Sequence, residues 1–186
     1  MTMPPRLRKF ALTAHVTASV GWLGAVACFL ALAVVGLTSQ DSQTARGAYL
    51  VMEPAARFIL VPLAVASLLT GLVQSLGSAW GLFQHYWVLF KLLINVVATI
   101  VLFTYMQTFR AMAVLAADPR AELDVVRNPS PALHAALALV LLLLATVLAV
   151  YKPRGMTGYG RRRQRQRRTG GPQRRKQEGQ QTASRA

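Results

Sequence analysis

The sequence predicts an all-α integral membrane protein, an up-down bundle of four spans followed by a disordered basic tail. Three observations carry that reading. More than half of the chain is apolar (54%) and only 15% is charged, a balance far from that of a soluble globular domain. The apolar residues fall into four runs, each long enough to cross a hydrocarbon layer of ~30 Å at the helical rise. The net charge of +15 sits at the two ends of the chain, and the body between them is almost neutral. Residues 1–9 form a basic N-terminus, 10–151 the four-helix domain and 152–186 the Arg-rich tail.

The first span is predicted over 10–36. It follows Arg6, Arg8 and Lys9 and is dominated by Ala, Val and Leu. A cleaved secretory leader is the alternative, with Ala31-Leu32-Ala33 as its processing site, but the run is longer than a signal core and further spans follow. The second span is predicted over 54–76. Arg57 marks its start, and Pro62 and Gly71 fall inside it, both better tolerated in membrane helices than in soluble ones. Gly77 to Tyr86 reads as a short polar-aromatic turn, with His85 in an interfacial aromatic belt. The third span is predicted over 87–109 and the fourth over 131–151, with an unbroken leucine run from Leu141 to Leu144. Leu37–Glu53 and Arg110–Pro131 read as connecting loops. Cys28, the only cysteine, excludes an internal disulfide and reads as a small buried hydrophobe.

Basic residues flank the first and fourth spans at the chain ends, which predicts both termini in the cytoplasm of a bacterial inner membrane. An even number of spans requires the same. From Arg161 onward the chain is Arg, Gln and Gly without apolar periodicity and cannot bury a core. The bilayer is therefore the first predicted partner, and anionic lipid head groups at the tail the second. No nucleic-acid recognition fold accompanies the arginines, so no specific nucleic acid is predicted.

Ionisable groups inside spans are costly and point to function or to packing. Three stand out: His15, Lys91 and His134. His15, Ser19 and Trp22 lie at i, i+4 and i+7 on one helix face. Trp22 is about 10 Å beyond His15 along the axis, too deep for a belt tryptophan. Thr17, Gly21 and Ala25 make a small-residue seam beside that face, on which helices or further copies of the chain could associate. In the third span Lys91, Asn95 and Thr99 form a polar stripe, with Trp87 one turn before Lys91. Lipid offers such a stripe no partner, so it should face the bundle interior. His15 and Lys91 each sit about 6–8 Å inside the same membrane face and can meet in one layer of the bundle. His134 enters from the opposite face, which excludes a bis-histidine site with His15.

His15, then Trp22 and Gly24, followed by Trp87-Val88-Leu89-Phe90-Lys91-Leu92-Leu93, resembles the core of HemJ-type protoporphyrinogen oxidases and of CopD-like membrane proteins. The likeness extends to uncharacterised bacterial four-helix integral membrane proteins, and it covers roughly Leu7 to Gln107. The resemblance implies haem b as cofactor, His15 as its metal ligand, and Trp22, Trp87, Lys91 and Asn95 as further cofactor-binding candidates. The chain departs from the HemJ pattern in having no arginine between Ala31 and Gln40, so the resemblance does not carry the oxidase reaction with it. The scattered Met52, Met106 and Met112 make no obvious site for copper.

No serine–histidine–acid set, phosphate loop or paired intramembrane carboxylate occurs, which argues against hydrolase, NTPase and proton-pump readings. Two expectations from different classes remain. One is a haem-binding membrane protein; the other is a non-catalytic structural or accessory protein in which His15 and Lys91 only pack.

Overall fold

A computed structural model describes residues 3–77, 83–151, 155–162 and 165. The chain is all helical in its long elements: α1 (Pro5–Thr38), α2 (Ser42–Ala55), a π-helical stretch (Ala56–Leu60), α3 (Val61–Gly77), α4 (Tyr86–Ala117), the short α5 (Leu123–Val126) and α6 (Ser130–Tyr151). α2, the π stretch and α3 run on without a break, so four long helices result. All four are long and apolar enough to cross a membrane. Only 17 to 28% of the most apolar window of each is buried, and the remaining faces carry exposed Phe10, Phe58, Phe103 and Leu137. Such a surface needs an apolar solvent. The chain is a multi-pass membrane protein.

α1 starts where Pro5 fits the first helical turn. Its buried positions, from Ala11 through His15, Ala18, Trp22, Val26, Phe29 and Ala33 to Gly36, advance in steps of three and four, so one stripe faces the bundle. At 34 residues it is about 51 Å long, well beyond a ~30 Å hydrocarbon layer. α2 begins at Asp41, whose carboxylate accepts from the Thr44 amide at 2.9 Å and the Thr44 hydroxyl at 2.6 Å. Those two bonds, hydroxyl first, hold the Asp41 carboxyl below its usual range.

The second hairpin arm differs from expectation. Leu37–Glu53 is not a loop: most of it is α2, whose buried face is Ala45, Ala48, Tyr49 and Met52. Arg57 does not begin the span but lies inside the continuous helix, bonded to Glu53 at 2.7 Å. The π stretch precedes Pro62, which has no amide to donate and whose ring would meet the carbonyl of Phe58 in a regular helix. A wider turn relieves that contact. It also keeps Met52, Ala56, Leu60 and Ala64, spaced by four, on one buried face.

α4 likewise runs past its expected end, to Ala117, because Phe109, Met112 and Ala116 continue its buried stripe. The loop expected over Arg110–Pro131 is therefore shortened from its start and holds α5 within it.

The helices alternate in direction. At one end, the Met3 amide donates to the Gly77 carbonyl at 3.5 Å and the Tyr86 amide to Gly155 at 3.3 Å. We call this the terminal end. At the far end, Arg127 donates to the Ser39 carbonyl at 2.6 Å, and Arg46 donates to the carbonyls of Asp118 at 2.7 Å and of Ala121. The far half is densely packed, with Phe29 and Tyr105 each edge-on to Phe109 at 4.9 and 5.0 Å between ring centres.

Of three further expectations, those for Cys28 and the tail are corrected, and that for the small-residue seam is met at one position. Cys28 is exposed on the outside of α1 rather than buried. The small-residue seam is used within the chain at Gly21, where an added Cβ would lie 3.3 Å from Leu63 of the next arm, while Thr17 is exposed. The tail expected to be structureless from 152 is ordered over 155–162. The Thr157 amide donates to Gln84 at 3.0 Å, and its hydroxyl accepts from the Gly160 amide at 3.1 Å, capping a helical turn. Apart from Arg165, the rest of the tail, and residues 78–82 of the expected polar-aromatic turn, lie outside the described residues.

Candidate functional site between the helices

In the terminal half of the bundle the helices leave space between them. A cavity of about 490 Å³ lies between α1, α3, α4 and α6, within the size range of cofactor sites. His15, Trp22, Trp87, Lys91 and Asn95 all line it. The structure thus brings the five residues singled out in the sequence to one place.

His15 stands at the centre of a connected polar network. Lys91 Nζ lies 3.1 Å from His15 Nε2, and His15 Nδ1 lies 3.2 Å from Thr70 Oγ1. The Thr70 hydroxyl already donates to the Ala66 carbonyl at 2.6 Å, so it accepts from Nδ1–H, and in the neutral imidazole Nε2 is then the acceptor for a charged Lys91. One turn along α1, Ser19 and Ser67 share a hydrogen bond of 2.9 Å, and Ser67 is only 1% exposed. Asn95 is buried beneath Lys91 on α4, and its carbonyl accepts from Thr99 at 2.7 Å.

α3 supplies the part of the site that the sequence reading passed over. Ser67, Thr70 and Gln74 interrupt an apolar run at helical spacing, and that stripe was the available signal. Gly71 completes it. A Cβ there would stand 3.0 Å from His15 Cε1 and 3.4 Å from Nδ1, so the imidazole sits where only glycine leaves room.

Among the described residues Lys91 is the one charged group lining this cavity. The acidic residues are Asp41, Glu53, Asp118, Glu122, Asp124 and Glu178, so none occurs in α1, α3, α4 or α6 near it. Among the described residues the ion pairs are Glu53–Arg57 and Asp124–Arg127, both at the far end. Lys91 therefore stands in a low-dielectric region with an imidazole and no carboxylate.

His134 lies apart. Its Nδ1 is 2.8 Å from the Ser130 carbonyl, and its ring stacks on Tyr105 at 4.4 Å, at the far end of α6. His85 bridges to Met156 beside Trp87, at the terminal end.

Among the described residues no three histidine, cysteine or acidic side chains converge as a metal site. No family model, no curated protein and no solved structure matches this chain, so the functional reading rests on this geometry.

Proposed function

We propose that the chain is a haem b-binding membrane protein, with His15 as axial ligand. The observation that carries the reading is the imidazole itself. Its Nδ1 is anchored by Thr70, its ring is seated against Gly71, and its Nε2 meets Lys91 Nζ at 3.1 Å, both residues lining the cavity. An outer-sphere oxygen on Nδ1 is the usual way a protein orients a histidine and raises its basicity for iron. Trp22 and Trp87 offer flat apolar walls, Asn95 an amide, and Lys91 a cation for a propionate. Bound haem would supply one-electron chemistry, and the residues named here orient it and limit water.

The same proposal places both termini in the cytoplasm of a bacterial inner membrane, from the basic residues at the chain ends. The Arg-rich tail is proposed to lie against anionic lipid there, and any association of copies would use the lipid-facing helix surfaces. A reporter that fluoresces only in the cytoplasm, fused after Ala186, should be bright; darkness there reverses the orientation.

A second reading is favoured by one contact. Lys91 already occupies His15 Nε2 at 3.1 Å, as it would in a purely structural polar cluster. Spectroscopy separates the two. Protein expressed with haem supplied and purified in mild detergent should show Soret and α bands in its reduced-minus-oxidised spectrum. His15→Ala should remove them and Lys91→Ala weaken or shift them, while His134→Ala leaves them unchanged. Colourless wild-type protein would leave the structural reading standing.

A further inference from the structure

The cavity is not closed on all sides, and the side on which it opens is informative. Its wall includes Val16 and Val20 of α1, 50% and 63% exposed, and Val150 of α6, 70% exposed. Thr146, also exposed, lines it between them, with its hydroxyl turned back to the Leu142 carbonyl at 2.9 Å. All four lie on membrane-crossing helices. The opening therefore faces the acyl chains of the bilayer, through a slot between α1 and α6. The opposite wall, at α3 and α4, carries Ser67, Gln74, Asn95 and Lys91, and His15 and Ser19 of α1 are bonded towards it.

That arrangement has one polar end and one apolar exit. A group bound at Lys91 must neutralise a cation for which α1, α3, α4 and α6, the helices lining the cavity, supply no carboxylate, and the first turn of α4 adds no acid. An ammonium in a low-dielectric setting attracts a carboxylate strongly, and charge-assisted hydrogen bonds are the stronger kind. The rest of such a ligand leaves along valines, in contact with lipid.

We infer that the cavity is loaded sideways from the bilayer, through the α1–α6 slot, by a membrane-borne carboxylic acid whose head group binds Lys91 and whose apolar body lies in the slot. The inference deepens the proposed haem site by naming its head-group chemistry and route of access. It does not need iron, since a long-chain fatty acid presents the same carboxylate and the same apolar body.

The test uses the full-length protein in nanodiscs of zwitterionic lipid with a fatty acid carrying a diazirine midway along its chain. After illumination, adducts are mapped by mass spectrometry. Adducts are expected to concentrate on Val16, Val20, Thr146 and Val150, and excess unlabelled fatty acid should suppress them. Lys91→Gln should reduce slot labelling about tenfold or more, the effect of losing one charge-assisted hydrogen bond. Ala149→Trp, which fills the slot from α6, should reduce it with Lys91 intact, and Val140→Trp, on an outward face, should not. Thermal unfolding of each variant reports whether it folds.

Labelling spread evenly over all outward faces, or unchanged in folded Lys91→Gln, overturns the inference. So does suppression by an uncharged fatty alcohol as strong as that by the acid. Colourless protein that still labels the slot removes the haem proposal and leaves this inference intact; haem-loaded protein without slot labelling does the reverse.

Discussion

Gly71 offers a sharp test of the site's geometry, because the argument can be made independent of any ligand. An alanine Cβ would lie 3.0 Å from His15 Cε1, and ordinary carbon contacts begin near 3.5 Å, so the ring must retreat by about 0.5 Å. Overpacking of this kind costs about 1–3 kcal/mol. Replacing glycine by alanine inside a helix returns about 0.8–1 kcal/mol. Gly71→Ala should therefore be destabilising by about 0–2 kcal/mol. Once the imidazole is gone, the clash goes with it. In a His15→Ala background the same substitution should be stabilising by about 1 kcal/mol, a coupling of about 1–3 kcal/mol between the two positions. The assay is reversible unfolding in detergent, read by far-ultraviolet circular dichroism, for the four members of the cycle. If haem binds at His15, Gly71→Ala should also weaken it about 10–100-fold, as disturbance of a ligand's outer support does. Equal effects of Gly71→Ala in both backgrounds would refute the placement of His15 against α3.

Arg46 ties α2 to the end of α4 through the carbonyls of Asp118 and Ala121. Arg46→Gln should cost about 2 kcal/mol, discounted for partial exposure, and should speed amide exchange over 114–121; unchanged exchange there would remove the tie. Cys28 is exposed but within a membrane-crossing helix, so it should react with membrane-permeant maleimides and resist impermeant ones in intact cells. Rapid labelling by the impermeant reagent would place it in water. Asp41 has a depressed pKa because it accepts from Thr44, so its capping is present above the ordinary aspartate range and is lost as pH falls through the lowered value. The protection of the Thr44 amide, its exchange relative to the intrinsic rate at the same pH, should fall on acidification, and Asp41→Ala should remove it at all pH; pH-independent protection would contradict the cap.

How far the sequence could be read depended on which force left the signal. Hydropathy marks what lies in lipid, so the four spans and the interior stripe of Lys91, Asn95 and Thr99 were legible. Helix that continues into water leaves no such mark. α2 was read as loop because Arg46 and Glu53 break its apolar character, although Ala45, Ala48, Tyr49 and Met52 recur at helical spacing. Pro54 reads as a boundary, and the structure instead places it inside a continuous helix, which also takes in Pro62, as expected, through the π stretch. The meeting of His15 and Lys91 followed from depth alone. The third partner, Thr70, did not, because its place depends on the rotation of α3, which the π stretch sets. Cys28 was misplaced for the same reason: periodicity gives the buried stripe only when the phase is known.

The strongest argument that this half of the bundle is more than glue comes from counting donors. Polar side chains that serve packing in lipid satisfy one another, because each unsatisfied group costs several kcal/mol there. Ser19 with Ser67, and Thr70 with His15 and Ala66, follow that rule. Lys91 does not. Its ammonium has three donors, and among the described residues His15 Nε2 is the one acceptor within reach. A structural role would be served as well by glutamine, which donates to an imidazole without a charge to solvate. The lysine is therefore the costlier choice for packing, and an acidic group in the cavity beside it would offset that cost. This is why Lys91→Gln discriminates so sharply. If the position serves packing alone, the substitution should raise stability while leaving labelling and spectra as they were; if it serves a ligand, stability should hold or rise while the ligand is lost.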